Sequence, residues 1–228
     1  MVISTMQDLM LDQLGDVYDA EHRFLKGQQE MVRNATDQQL KSSIQSHIEQ
    51  TQHHIQNLEQ IFSLMGQQPK GVTCEASKGL VTEAQKDMRE AGSDHIRDVL
   101  VDGAALRVEH YEIAAYTALI ASAQLMGQQQ AVGLLQENLQ QEQQTAQKLE
   151  QLTPRLLQAA MQSTGANTQG TPAGASGGMA TGASTMGRPA GAGGNVTGDD
   201  YVKVDTSKAP DILIDETQGQ GAARTQGS

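Results

Sequence analysis

Apolar residues recur along the first two thirds of the chain at intervals of three and four. In the opening segment Met10, Leu14, Val17, Phe24 and Met31 lie on one stripe, and Glu21 and Gln28 fill the stripe positions between them. This spacing predicts an amphipathic helix over about 5–33. Thr5, with Asp8 three residues on, has the form of a capping box at its start. Thr36 with Gln39 has the same form. It predicts a second helix carrying Ile44, Ile48, Thr51, Ile55, Leu58, Phe62 and Met65, ended by Gly66. The segment "QQPKGVT" reads as a loop, after which Thr73 is expected to cap a shorter helix over about 74–91, closed by Gly92. Ser93 opens a fourth helix with the stripe Ala105, Glu109, Glu112, Tyr116, Leu119, Ala123, ended by Gly127. A fifth carries Leu135, Leu139, Glu142, Ala146 and Leu149. Thr153-Pro154 is then expected either to kink that helix or to cap a last short one.

Four helices of ~30 residues would each be about 45 Å long. Short loops join them in pairs, and a longer connection with its own helix joins the pairs. The expected architecture is all-α: a four-helix bundle with a short crossover helix. The halves resemble one another weakly. "YDAEHR" (18–23) and "RVEHYE" (107–112) each set Glu-His at the same stripe phase.

Composition changes this picture only after Thr164. Of the 23 glycines, 14 lie beyond it, in a segment beginning "GANTQGTPAGASGGMATGAS". Such a sequence buries no core, so 165–228 is expected to be a disordered tail behind a helical domain at 1–164. One apolar island, "YVKVDTSKAPDILIDE" at 201–216, is a candidate docking segment for a protein partner. The net charge is −11. An acidic surface disfavours nucleic acid and anionic membranes. The single cysteine, Cys74, rules out an intrachain disulfide and reads as a small buried hydrophobe. No apolar run has membrane-spanning length and no signal peptide is evident, so a cytoplasmic protein is expected.

The chemistry sits in the stripes. Glu21, Glu109, Glu112 and Glu142 occupy inward positions on three helices. An unpaired buried carboxylate costs several kcal/mol even after relaxation, so it needs compensation. Protonation with mutual hydrogen bonds, pairing with Lys or Arg across the bundle, or a metal ion would each supply it. Oxygen-rich sites in bundle cores suit Fe or Mn, with imidazole as a frequent co-ligand. On the second helix His54 is the preferred candidate and His47 the next, because both share a face with Thr51 while Glu49 points away. His110 falls on a flanking face, suited to packing or a dimer contact. Tyr18 and Tyr116 read as core aromatics close enough to the stripes to hydrogen-bond a carboxylate. The chain has no phosphate-cradling glycine loop, zinc Cys/His spacing or nucleophile elbow.

Four segments, "LMLDQLGDVYDAEHRFLK", "SHIEQTQHHIQNLEQIF", "CEASKGL" and above all "ALRVEHYEIAAYTAL", resemble the YciF-type stress-protein family, over roughly residues 5–153. The resemblance implies a ferritin-like, rubrerythrin-like bundle, usually a homodimer, with a di-metal carboxylate site and a link to general and osmotic stress. It supports Glu21, Glu109, Glu112 and Glu142 as ligands. It does not settle whether the protein is an enzyme with oxidase or peroxide-consuming activity or a metal-free structural protein. Two departures stand out. Glu49-Gln-Thr-Gln52 and Glu142-Gln-Gln-Thr145 lack the His of a Glu-x-x-His pair, and Gln50 and Gln141 stand where acidic residues are typical.

Overall fold

The computed structural model describes residues 2–166; the predicted tail and its 201–216 island lie outside the described residues. Five helices follow in order: α1 (Met6–Asn34), α2 (Gln38–Leu64), α3 (Glu75–Glu90), α4 (Asp94–Leu125) and α5 (Gln129–Ala166). Helix α1 packs on α2 and α4, and α5 completes the ring against α2 and α4. Helix α3, in the crossover, covers α1 and α4. This is the expected four-helix bundle with a crossover helix. No helix among the described residues is long and apolar enough to cross a membrane.

The helix ends show where local reading holds. Thr5 forms the capping box, accepting from the Asp8 N–H at 3.0 Å while Asp8 accepts from the Thr5 N–H at 3.0 Å. Helices α2 and α4 end at Gly66 and Gly127, both at φ +69°. At each, two backbone bonds close a Schellman motif: Gly66 N to Ser63 O with Gln67 N to Phe62 O, and Gly127 N to Gln124 O with Gln128 N to Ala123 O.

Two caps differ from expectation. Helix α2 is capped by Asp37, which accepts from the Leu40 N–H at 2.9 Å, and not by Thr36. The Thr36 hydroxyl instead donates to Asp98 Oδ2 at 2.7 Å, and the Thr36 and Asp37 N–H groups donate to the same carboxylate. Helix α3 is capped by Cys74, whose sulfur accepts from the Ser77 N–H, one residue beyond the expected Thr73. Helix α5 runs on through Pro154. Thr153 there donates to both the Leu149 carbonyl and Asp102 Oδ2.

Two apolar clusters fill the bundle. Met10, Leu14, Leu58, Tyr116, Leu119 and Leu135 belong to one, and Met31, Leu40, Ile44, Val101, Leu149 and Leu156 to the other. The sequence positions between them on all four long helices carry the buried polar residues. A smaller cluster of Ala20, Phe24, Cys74 and Val108 lies beneath α3, with Leu80 and Val81 packed on it.

The crossover sits so close to α1 that Gly15 has no room for a side chain. A Cβ there would lie 2.8 Å from Val72 Cγ2 and 2.9 Å from the Lys70 carbonyl oxygen. Gly79, exposed in the middle of α3, meets nothing within 4 Å. The two glycines should therefore respond oppositely to Ala. Gly79→Ala is expected to stabilise by roughly 0.5–1 kcal/mol, the helix-propensity gain. Gly15→Ala is expected to destabilise by about 1–2 kcal/mol, because overpacking against backbone exceeds that gain. Urea denaturation of the two variants checks both signs.

Candidate metal centre

The inward stripe of α1 is as the sequence predicts: Met10, Leu14, Val17, Glu21, Phe24, Gln28 and Met31 are all buried. So is that of α4, from Ala105 through Glu109, Glu112 and Tyr116 to Ala123. Helix α2 buries the predicted Ile44, Thr51, Ile55, Leu58 and Phe62, whereas Ile48 and Met65 are only partly buried. Its innermost line is His47, Thr51, His54, Leu58 and Ile61. Both candidate imidazoles therefore enter the core, His54 fully and His47 at 2 % exposure. Glu142 arrives from α5, also fully buried.

Six side chains converge. His47 Nε2 lies 3.2 Å from Glu109 Oε1 and 3.4 Å from Glu142 Oε2. His54 Nδ1 lies 2.8 Å from Glu142 Oε1 and 3.5 Å from Glu21 Oε1. They form two overlapping donor sets. One is His47, Glu109, Glu112 and Glu142; the other is Glu21, His54 and Glu142, and within each the ligand atoms lie within 4.8 Å of one another. Glu142 belongs to both.

The His–Glu approaches are ion-pair contacts, His54 Nδ1 to Glu142 Oε1 being the shortest. Among the described residues eleven buried side-chain polar atoms lack a hydrogen-bond partner, and eight of them belong to these six residues. Both oxygens of Glu112 and of Glu142 are among them, as are His47 Nε2 and His54 Nδ1. In ordinary interiors nearly all such groups are satisfied. A buried group of His and Glu donors of this kind could hold a metal ion.

The surrounding side chains fix the rings. His47 Nδ1 faces Gln50 Oε1 and Thr145 Oγ1, each at 3.2 Å, and Thr145 donates onward to Gln50 Oε1 at 3.3 Å. His54 Nε2 faces Gln141 Oε1 at 3.0 Å. An amide oxygen accepts, so Nδ1 of His47 and Nε2 of His54 carry the protons. With the Glu21 and Glu142 carboxylates raising His54 to about 10, its Nδ1 carries a proton toward them in the metal-free protein and would become a lone-pair donor on losing it to a metal. Gln50 and Gln141, which look like departures in the sequence, are the groups that set these tautomers. Tyr116 donates to Glu21 Oε1. Asn138 donates to the Tyr116 hydroxyl at 3.1 Å and accepts from Asn57 at 2.8 Å.

Charge is not balanced within the cluster. Burial, the largest effect, together with neighbouring carboxylates pushes Glu109 and Glu142 up to about 8 and Glu112 well above the usual carboxylate range. Burial would lower His54, but the Glu21 and Glu142 carboxylates raise it to about 10. No Lys or Arg among the described residues forms an ion pair with any of the six. Among the described residues, then, no Lys or Arg pairing across the bundle compensates the carboxylates. Four carboxylates, with the imidazoles giving up their protons on ligation, would match the charge of two divalent cations.

The other candidates lie elsewhere. His110 is exposed and lies 3.5 Å from Glu150 on the surface. Tyr18 donates to Glu59, away from the cluster, whereas Tyr116 belongs to it. Cys74 is buried, with its sulfur 3.0 Å from the Tyr111 hydroxyl, which donates to Asp16. The sequence places Gln28 on the inward stripe and Thr145 three residues after Glu142 without giving either a role, and it does not single out Asn138. Their helical spacing from Glu21 and Glu142 was the available signal.

A family profile described as "Domain of unknown function (DUF892)" matches residues 5–162. The chain belongs to the DUF892 family. Protein YciF of Escherichia coli strain K12 is 31 % identical over 153 residues, covering 67 % of this chain and 92 % of YciF. The crystal structure of that E. coli stress protein superposes with a TM-score of 0.65 at 29 % identity, covering 68 % of this chain and 98 % of YciF. YcfI from Rhodopseudomonas palustris, described as a candidate structural protein, aligns with a TM-score of 0.64 at 40 % identity. The alignment covers 65 % of this chain and 94 % of YcfI. A protein of known crystal structure from Xanthomonas campestris, at 22 % identity and a TM-score of 0.60 over 71 % of this chain and 99 % of that one, shares the fold.

The metal-free centre should have a distinctive pH dependence. Carboxylates whose folded pKa is raised bind more protons folded than unfolded, so stability is lost as pH rises through that window. For Glu109 and Glu142 the window runs from the ordinary 4.5 to about 8. His54 acts in the same direction: its contribution is complete below the unfolded value of 6.5 and is lost as pH approaches about 10. Chelator-treated protein is expected to melt at progressively lower temperature between pH 5 and 8. Glu109→Gln should flatten that slope, and an unchanged slope in the variant would remove the cluster as its source.

Proposed function

We propose that the bundle is a dinuclear metal protein, taking iron or manganese in the two donor sets that share Glu142. The observation that carries this reading is the convergence of eight unpartnered donor atoms from six residues on four helices. Glu142 would bridge. Glu109 and Glu112, one helical turn apart, would serve the first set with His47, and Glu21 with His54 would serve the second. Such a metal pair supplies electron-transfer chemistry toward dioxygen or a peroxide. The chain's own residues hold this arrangement ready. Gln50 with Thr145 and Gln141 aim the imidazoles, Tyr116 steadies Glu21, and the apolar clusters above and below exclude water. The E. coli relative described as a stress protein supports a role in stress physiology.

Protein purified without chelators and loaded anaerobically with Fe(II) or Mn(II) is expected to hold about two ions per chain. Fewer than ~0.2 per chain would overturn the reading, since tight sites survive purification. Glu142→Gln should lose both ions, because both sets need it, whereas Glu21→Gln should retain about one. Native-state binding also raises the melting temperature. Free metal at about a hundredfold excess over Kd contributes roughly 2.7 kcal/mol.

A second reading is a metal-free dimeric scaffold, favoured by the description of YcfI as a candidate structural protein. In that case the carboxylates share protons. Melting curves would then be identical with chelator and with metal, and size-exclusion chromatography would report the dimer.

A further inference from the structure

The side chains that support the six donors are uncharged. His47 Nδ1 faces the Gln50 and Thr145 oxygens, each at 3.2 Å, and His54 Nε2 faces Gln141 Oε1 at 3.0 Å. Glu21 accepts from Tyr116, whose hydroxyl accepts in turn from Asn138. Among the described residues no Lys or Arg pairs with the cluster, and the only carboxylates within ion-pair reach of either imidazole are Glu21, Glu109 and Glu142.

Two of these supports are amides. Gln50 lies on α2 three residues after His47, and Thr145 of α5 donates to the same Oε1 at 3.3 Å, which holds the amide oxygen toward the ring. Gln141 sits beside Glu142 on α5 and reaches across to His54 of α2. Both glutamines are half-buried, whereas their chain neighbours Glu49 and Gln140 are exposed. The one carboxylate in this pair of positions and neighbours, Glu49, thus faces solvent, and the two groups that face the rings are neutral.

The charge count follows. Four carboxylates, with imidazoles that are neutral once ligated, carry four negative charges. Two divalent ions balance them. Two trivalent ions would leave two positive charges among residues that are at most 2 % exposed, and an uncompensated buried charge is strongly disfavoured. A carboxylate in place of either amide would supply one of the missing negative charges. By accepting the ring N–H more strongly, it would also make the imidazole a more basic ligand. Both effects favour a trivalent ion. An amide accepts the same hydrogen bond and supplies neither.

We infer that Gln50 and Gln141 set the redox poise of the centre, holding the imidazoles in place while keeping the metal pair divalent, at a higher reduction potential than carboxylates there would allow. This rests on the dinuclear reading and adds which oxidation state the chain is built to hold. Both are positioning residues. Each acts through its histidine, and Thr145 acts through Gln50.

The test uses the full chain loaded anaerobically with iron and titrated electrochemically with mediators, read by the near-ultraviolet ferric absorbance. Gln141→Glu and Gln50→Glu should each keep the iron and lower the midpoint by about 59 mV or more, a tenfold gain in preference for the ferric ion in a one-electron step. The double variant should fall further. Gln140→Glu puts the same charge on the exposed side of the same turn and should leave the midpoint near that of wild type. Gln141→Leu removes the hydrogen bond without adding charge. It should cost about 10–100-fold in iron affinity and should not lower the midpoint. Equal lowering in the Leu and Glu variants would mean that packing, not charge, is responsible, and would overturn the inference. Melting in chelator verifies that each variant is folded, and either carboxylate variant carries the test if the other does not fold. Loss of fold in both with iron present would also overturn it, because loaded iron should neutralise the added charge. An unchanged or raised midpoint in fully loaded Glu variants would overturn this inference alone. A wild-type chain that takes up no iron would overturn it together with the dinuclear reading.

Discussion

The constraint that organises this protein is the burial of four carboxylates in the middle of a helical bundle. Each would cost several kcal/mol if left charged and unpaired. The chain places them where apolar packing is strongest on both sides, between the clusters around Leu14 and Leu135 and around Leu40 and Leu149. Those clusters hold the helices at fixed separation, so the carboxylates cannot relieve their repulsion by turning to solvent. Other features serve the same end. Asp98 ties the α1–α2 turn to α4 with three hydrogen bonds, and Arg155 of α5 grips Asp37 in the same turn with two. Amide oxygens, which bear no charge, orient the histidines without adding to the repulsion.

Much of this was legible in the sequence, and the exceptions have physical causes. The stripes of α1 and α4 could be phased because apolar residues flank each glutamate closely at spacings of three and four. The stripe of α2 was mostly legible too, but it took in the half-buried Ile48 because the innermost line of that helix is itself polar. With His47, Thr51 and His54 at the centre, the isoleucines on either side dominate a periodicity count and draw the apparent axis toward themselves. The expected Glu-x-x-His pattern also misdirects. Here both imidazoles come from one helix, seven residues apart, and the carboxylates from the other three. The cap of α2 was misplaced for a different reason. The Thr36 hydroxyl is claimed by Asp98, 62 residues away, and no local rule contains that contact.

The weak repeat between the two halves survives in part. Glu21 and Glu109 both point inward, while the histidines that follow them do not: His110 is on the surface and His22 is only half-buried. The halves therefore agree in supplying carboxylates and differ in what surrounds them. One end of the cluster received a tyrosine–asparagine chain that closes it. The other has Gly27, Gln28 and Thr145 along a small, mostly apolar cavity. A symmetric frame thus carries an asymmetric centre, and the asymmetry lies in uncharged residues that a search for metal ligands passes over.

The composition of the two donor sets also bears on folding. His47, Glu109, Glu112 and Glu142 come from α2, α4 and α5, and Glu21, His54 and Glu142 come from α1, α2 and α5. Neither set forms within one hairpin. Each needs the α1–α2 pair docked on the α4–α5 pair, which in turn needs the crossover and α3 in place. A cation bound by either set would therefore be linked to the whole bundle and not to a local turn. The same carboxylates that weaken the bundle without metal would then hold its two hairpins together with metal, and Glu142, shared by both sets, would couple the two ions to one folding event.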